Sequence, residues 1–215
     1  MDVFDIIGPV MIGPSSSHTA GAVRLGNVAR TLLGREPKRA VITLYGSFAS
    51  TGKGHGTDKA ILSGICGYSM DDVRIKTIYD HCPIEYEFQY AENEDYHPNT
   101  AEIELTDGEI TVKMRGASVG AARIEILEID GMAVSFSGEY NTLIIFHDDR
   151  KGIVGKVTTW LSNNGVNIAF MKVFRLDKDD RVVSVIETDQ RVFGYKTLEV
   201  LQKGLRVAYY ERADA

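Results

Sequence analysis

The sequence predicts an α+β protein made of two domains, and three observations support this prediction. Apolar residues with helical spacing follow a Gly- and Ser-rich segment near the N-terminus, short alternating strands fill the region from residue 84 to 136, and strands alternate with helices from Tyr140 onward. A chain of 215 residues with 44% apolar residues can bury one sizeable core or two small ones. We place the domain boundary between residues 138 and 139, which gives domains 1–138 and 139–215.

The first predicted helix begins near Ser17. The segment Gly13-Pro14-Ser15-Ser16-Ser17-His18-Thr19 precedes apolar residues at helical spacing from Ala22 to Leu33, and Gly34 is a suitable stop. The first turn of a helix has N–H groups without intrahelical partners and carries partial positive charge, so a carboxylate or phosphate can bind there. The alternative is that Ser17 only caps the helix within an ordinary loop.

A second Gly-rich segment, Ser50-Thr51-Gly52-Lys53-Gly54-His55-Gly56-Thr57-Asp58, lies between an apolar strand and another helical pattern at 60–66. It is not a nucleotide-binding P-loop, because five residues separate Gly46 from Gly52 and Lys53 is followed by Gly54. We expect a flexible loop that exposes Lys53 and His55 and lets a ligand approach the backbone. The alternative is that His55 is simply a solvated side chain.

The rest of the first domain is predicted to be strands. Residues 84–90 alternate strictly, Thr106 to Glu109 form the first predicted hairpin turn, and Asp130-Gly131 forms the second. From residue 141 the order becomes strand, helix, strand, strand, helix, strand, with segments at 141–147, 153–161, 166–175, 181–188, 195–201 and 205–210. This βαββαβ order is that of a ferredoxin-like unit.

Charge and terminal sequence exclude several classes of protein. The net charge is −6 and no basic stripe is present, so we expect no nucleic-acid partner. The start Met1-Asp2-Val3-Phe4-Asp5 lacks a positive leader region, and no apolar run approaches the roughly 20 residues of a membrane helix. We therefore expect a soluble cytoplasmic protein, in which Cys66 and Cys82 are not joined as a disulfide.

Two motifs, Gly13 to Thr19 and Gly54-His55-Gly56-Thr57-Asp58, recur in the β chain of the iron-sulfur-dependent L-serine dehydratases, which this chain resembles over essentially its whole length. His97-Pro98-Asn99-Thr100 and a predicted loop at 116–120 are similar to further family segments, although Ala121 and Ala122 stand where the family often has glycines. The resemblance implies a 4Fe-4S cluster. Such a cluster normally takes three or four thiolates and this sequence has two cysteines, so we expect a separate α chain to hold it and no metal ligands here.

The resemblance also implies the reaction, in which L-serine loses water to give aminoacrylate and then pyruvate and ammonia, a step of amino-acid metabolism and gluconeogenesis. We favour His55 as the base, since its Gly-rich loop can reach into a neighbouring active site, and His18 as an anchor or proton partner. The candidate substrate-binding residues are Ser15, Ser16, Ser17, Thr19, Lys53 and Asn99. The sequence does not determine the preference for serine over threonine or the stoichiometry of the complex.

The second domain resembles an ACT regulatory domain through Asp148 to Val154 and Asn163 to Ile168, with Lys151 in place of the usual proline. That resemblance implies pairing of two copies and an effector site at Asp149, Gly152 and Asn167. Pairing without any ligand is the alternative.

Two other functions remain open at this point. The first domain also resembles the allosteric substrate-binding domains of some phosphoglycerate dehydrogenases, so the chain could be a purely regulatory sensor of an anion or amino acid. A stand-alone interaction protein is the third possibility, against which the two ligand-type segments argue.

Overall fold

The computed structural model describes residues 10–175, 180–201 and 203–212. The chain divides into two compact units between Gly131 and Met132, seven residues before the predicted boundary. Residues 1–9, on which the expectation about a leader rests, lie outside the described residues. The α+β class is confirmed, since helices and a sheet occur in both units.

The first helix is confirmed at both ends. A π-helical turn, Ser17–Gly21, leads directly into helix α1, Ala22–Leu33. Gly34 ends α1 with a φ of 71°, and its N–H donates to the Arg30 carbonyl. The buried face of α1 carries the predicted apolar residues, which include Val23, Leu25, Val28, Ala29 and Leu32.

The first unit contains a sheet with the strand order β2-β1-β3-β4-β5. Its strands are β1 (Arg39–Tyr45), β2 (Glu85–Ala91), β3 (Thr100–Thr106), β4 (Thr111–Gly120) and β5 (Arg123–Ile129). Strand β2 lies parallel to β1, whereas β1, β3, β4 and β5 pair in antiparallel fashion. The parallel pair requires a long crossover, which residues 46–81 supply.

The crossover corrects the expectation of a flexible Gly-rich loop. It consists of α2 (Gly46–Ser50), α3 (Gly52–His55), α4 (Thr57–Ile65), a 3₁₀ helix (Val73–Thr77) and α5 (Ile78–His81). Gly56, with a φ of 72°, forms the joint between α3 and α4, a backbone angle that glycine adopts without strain. The segment around His55 is therefore two short helical turns separated by glycine from a longer helix.

Helices α1 and α4 touch backbone to backbone. A Cβ built on Gly26 would lie 2.3 Å from the Ile61 carbonyl oxygen, and one built on Gly64 would lie 2.1 Å from the Val23 carbonyl oxygen. Each helix thus offers a glycine where the other helix presents its backbone. This close packing fixes the segment that carries His18, before α1, relative to the segment that carries His55, before α4.

The hairpins are confirmed at their turns, but the predicted loop at 116–120 is wrong. Strands β3 and β4 are antiparallel across the first turn, and Asp130 and Gly131 have φ angles of 50° and 80°, as a two-residue type I′ turn requires. Residues 116–120 belong to β4, where the register shifts between Arg115 and Gly116 and again between Ser118 and Gly120. Ala121 and Ala122, with φ angles of 50° and 60°, make the turn that follows.

The second unit begins with β6 (Met132–Phe136) and contains the predicted βαββαβ order. Its elements are β7 (Asn141–Asp148), α6 (Ile153–Asn163), β8 (Ile168–Arg175), β9 (Arg181–Thr188), α7 (Thr197–Leu201) and β10 (Arg206–Tyr210). The sheet order is β10-β7-β9-β8 with antiparallel pairing throughout, which is the ferredoxin-like arrangement. Leu143 and Ile145 of β7, Val157 and Leu161 of α6, and Ile186 of β9 form the centre of its core.

Candidate functional site

His18 is the centre of a polar cluster in the first unit. Its side chain is buried, and its Nε2 lies 3.2 Å from Thr51 Oγ1 and 3.4 Å from Ser47 Oγ. The other ring nitrogen, Nδ1, lies 3.5 Å from Ser15 Oγ. Because hydroxyls stand at both ring nitrogens, the imidazole is held in one orientation.

The protonation state of His18 follows from its surroundings. Burial and a charge on the neighbouring His55 lower the pKa of His18 below its ordinary value of 6.5, and a hydrogen bond from the ring to the Ser47 backbone partly opposes that shift. Both main causes disfavour the imidazolium. His18 is therefore neutral at physiological pH.

His55 lies beside His18 but faces solvent. The two ring centroids are 4.8 Å apart, and the Phe48 ring meets the His18 ring edge to face, with centroids 5.2 Å apart. His55 and Lys53 are both exposed, as expected, and Lys53 Nζ lies 5.3 Å above the Tyr90 ring. The two motifs that are far apart in the sequence thus meet at a pair of imidazoles, of which one is buried and the other accessible.

The serines precede the first helix as expected. Ser15, Ser16 and Ser17 are half-buried, and the Ser15 hydroxyl accepts a long, 3.4 Å hydrogen bond from the His18 N–H. The Ser16 carbonyl accepts from the Gly21 N–H at 2.9 Å, which produces the π turn. Such turns often mark functional sites. The helix start therefore combines hydroxyls with N–H groups directly beside His18.

Thr19 differs from the serines, because it is buried. A Cβ on Gly13 would lie 2.0 Å from Thr19 Oγ1, so the threonine fills the space beneath the Gly13 backbone. Its hydroxyl has no hydrogen-bond partner within the described ranges. Thr19 therefore packs against the backbone of the motif, and its direct contact with a ligand stays a prediction.

Asn99 holds the strands next to the cluster. Its side-chain amide donates to the Ser118 carbonyl at 3.4 Å, while its backbone carbonyl accepts from the Ser118 N–H. The preceding residue, Pro98, accepts from the Phe48 N–H at 3.2 Å and lies so close to Gly46 that a Cβ there would be 2.7 Å away. Through these hydrogen bonds Asn99 anchors β4. Its contact with a substrate stays a prediction.

Sequence reasoning missed Ser47, Phe48 and Thr51, which supply most of the surroundings of His18. Ser47 and Thr51 are four residues apart on successive helical turns, and their hydroxyls are 3.2 Å apart. Two hydroxyl residues at this spacing directly after an apolar strand were a signal that could have been used.

The candidate effector residues of the second unit do not lie together within one chain. Asp149 pairs with Arg175 at 3.1 Å and Gly152 begins α6, whereas the Asn167 amide bonds Asp189. The strand register places Ile168 beside Thr188 and Asn141 at one end of the sheet, and Arg175 beside Val182 and His147 at the other. At about 3.3 Å per residue, the two halves of the candidate site are separated by roughly 20 Å.

Two further properties concern metals and membranes. Within residues 10–175, 180–201 and 203–212 there is no group of three or more His, Cys, Asp or Glu residues that could hold a metal ion. The residues present do not fit a 4Fe-4S cluster, since the whole sequence contains two cysteines. In the same part of the chain, no helix is both long and apolar enough to cross a bilayer.

These features define a class of two-domain α+β proteins that have a histidine-centred polar site in the first unit. The family model of the ACT domain matches residues 141–194 in the second unit. The serine dehydratase beta chain pattern matches residues 2–87. The chain is 45% identical over 193 residues to a probable L-serine dehydratase beta chain of Bacillus subtilis, with 88% of each chain covered. It therefore belongs to the family of L-serine dehydratase β chains.

Two other relatives show how the similarity is distributed. The L-serine dehydratase beta chain of Peptoniphilus asaccharolyticus is 35% identical over 193 residues, covering 87% of this chain and 86% of that one. L-serine dehydratase 2 of Escherichia coli is 45% identical over 84 residues, which are 36% of this chain and 18% of that longer protein.

Proposed function

We propose that this chain is the β subunit of a cytoplasmic L-serine ammonia-lyase, which converts L-serine to pyruvate and ammonia in a complex with a separate α chain. The observation that carries this proposal is the pair of imidazoles from two distant motifs, with ring centroids 4.8 Å apart and with hydroxyls on the buried ring. The names of the relatives, which are L-serine dehydratases, support the same reaction.

In this proposal the helix start binds the substrate. Ser15, Ser16 and Ser17 offer hydroxyls, and the first turn offers backbone N–H groups, so the serine carboxylate fits at this point. Lys53, two residues before His55 on the same short helix, adds an exposed positive charge. A carboxylate held there places Cα of serine near the two imidazoles.

His55 takes the α-proton in this proposal, and His18 positions it. A general base must reach the substrate, and His55 is exposed whereas the His18 ring is buried with hydroxyls at both nitrogens. The neutral His18 ring lies against His55 and orients it. Thr51 and Ser47 hold His18 in turn.

The 4Fe-4S cluster belongs, in this proposal, to the α chain, because the residues of this chain do not fit it. The exposed His55 and Lys53 would then face a site that the α chain completes. The second unit would serve pairing. Because Asp149 and Gly152 lie about 20 Å from Asn167 within one copy, an effector site made of all three requires two copies.

The test is anaerobic reconstitution of this chain with a cluster-bearing α chain, followed by pyruvate release at saturating L-serine. We expect His55→Ala to lower the saturated rate by about 10²- to 10⁴-fold, the typical contribution of a general base. The matched control is His81→Ala, which removes another exposed histidine outside the cluster. Co-purification of the two chains shows that the mutant complex still assembles.

Three results would redirect the proposal. A His55→Ala complex with an unchanged saturated rate would make this chain regulatory, as would an α chain that turns over serine alone. Equal losses in His55→Ala and His81→Ala would place the effect in assembly. Parallel assays with L-threonine determine how strictly the completed pocket excludes an added methyl group.

A further inference from the structure

Two cysteines that the proposed reaction does not use lie in contact in the first unit. Cys66 follows α4 as its C-terminal cap, and Cys82 follows α5 immediately before Pro83. They are sixteen positions apart in the sequence, but their Sγ atoms are 3.9 Å apart. Both are free thiols and both are half-buried, so a small reagent can reach them.

We propose that Cys66 and Cys82 form a reversible modification site, which closes to an intramolecular disulfide by exchange with a low-molecular-weight disulfide of the glutathione class. A disulfide has an S–S length of about 2.05 Å, so the two sulfur atoms must approach each other by about 2 Å. Rotation about the two Cα–Cβ bonds moves a sulfur atom by such a distance. Both cysteines lie at helix ends, where small backbone adjustments break few hydrogen bonds.

The surroundings of the two thiols decide how readily each one attacks. Burial, the neighbouring Cys82 and a contact between the two sulfurs raise the pKa of Cys66, and the nearby Arg30 guanidinium offsets this only in part. The Cys82 thiol donates to the Ile84 carbonyl at 3.6 Å. Because the thiolate is the attacking species, the exchange begins at the cysteine that loses its proton first, and the other cysteine resolves the product.

The exchange takes place in two balanced steps. The thiolate of one cysteine attacks one sulfur of the external disulfide, forms a protein mixed disulfide and releases one thiolate. The other cysteine then loses its proton, attacks the protein sulfur of the mixed disulfide and releases the second thiolate. The chain loses two hydrogen atoms and two electrons in total, and the external disulfide is reduced to two thiols.

The bond would restrain a defined part of the first unit. It closes the segment 66–82, which contains the 3₁₀ helix and α5. It also ties the end of α4, the helix that begins just after His55, to the residue that leads into the edge strand β2. A disulfide that closes a loop of this length should raise the melting temperature by about 8–15 °C for a domain of this size.

The experiment incubates the full chain in glutathione buffers of increasing oxidised fraction at neutral pH and determines intact mass and reactivity with a maleimide. We expect the wild type to lose two hydrogens and both reactive thiols, and to regain both in dithiothreitol. Cys66→Ser and Cys82→Ser should each stop as a stable mixed disulfide at the cysteine that remains.

Several outcomes would overturn the proposal. One is a wild type that accumulates the mixed disulfide or covalent dimers as readily as the single variants. Another is a wild type that keeps both reactive thiols in the most oxidising glutathione buffer. Circular dichroism of each variant establishes that it is folded. None of these measurements depends on dehydratase activity, so their failure is separate from failure of the proposed function.

Discussion

Replacement of Gly64 by alanine would place a methyl group between two helices that touch backbone to backbone. The new Cβ would lie 2.1 Å from the Val23 carbonyl oxygen, whereas ordinary contacts begin at 3.4 Å. The obstructing atom belongs to the backbone of α1, so no side-chain rotation can relieve the overlap. Helices α1 and α4 must separate by about 1 Å, and the reciprocal contact of Gly26 with Ile61 is lost at the same time.

The magnitude follows from two opposing effects. Overpacking of a well-packed core typically costs about 1–3 kcal/mol, and a rigid backbone contact belongs near the upper end, whereas the helix propensity of alanine returns about 1 kcal/mol. We expect a net loss of about 2 kcal/mol in the free energy of unfolding. That corresponds to a decrease of roughly 5–10 °C in the melting temperature.

The assay is differential scanning calorimetry of the full chain, with the fluorescence of Trp160, the single tryptophan, as a reporter of the second unit. Gly54→Ala is the matched control, because a Cβ on Gly54 has nothing within 4 Å. The fluorescence transition should change less than the calorimetric transition of the first unit. A Gly64→Ala protein as stable as Gly54→Ala would refute the close helix contact and, with it, our account of how the two histidine segments are held.

Two further predictions concern pH. Hydrogen bonds from the backbone N–H groups of Ile110 and Glu109 lower the pKa of Asp107 to about 2 from 3.8. The stabilising effect of the carboxylate is therefore complete above pH 4 and is lost between about pH 4 and 2. In urea unfolding, Asp107→Asn should be as stable as the wild type at pH 2 and less stable than the wild type at pH 5. The pKa of His18 is lowered from 6.5 in the folded protein, so as the pH falls His18 is protonated in the unfolded chain before it is protonated in the folded one. The wild type should therefore lose stability as the pH falls below 6.5. His18→Asn should show a flatter dependence in that range, and parallel curves for the two proteins would contradict the buried neutral imidazole.

The sequence was sufficient to predict the elements that are determined by residues close together in the chain. The helix from Ala22 to Leu33 has helical apolar spacing and a glycine stop, and the turn Asp130-Gly131 has the residue types that a type I′ hairpin requires. The βαββαβ order could be predicted because each of its strands and helices has its own periodicity. In these cases side-chain spacing and backbone preference indicate the same structure.

The prediction failed where distant segments decide the outcome. The Gly-rich segment around His55 is helical and contacts α4 and the π turn, and the low helix propensity of glycine gives no sign of this. The family resemblance predicts a loop at 116–120, but these residues form a strand in which Gly116 packs against Leu25 of α1 and Ser118 against Gly21 of the π turn. The contacts of Thr51 and Ser47 with His18 depend on the same tertiary packing.

In the proposed reaction, the arrangement of the two imidazoles favours His55 over His18 as the base. A base that takes the α-proton becomes a cation, and a second cation 4.8 Å away between ring centroids would oppose that change. Burial keeps His18 neutral, so His55 can become charged without that repulsion and with solvent or substrate to stabilise it. If His18 were the base, the new charge would form in the buried ring, where desolvation already disfavours it. The burial that disfavours protonation of His18 therefore also removes a charge that would oppose protonation of His55.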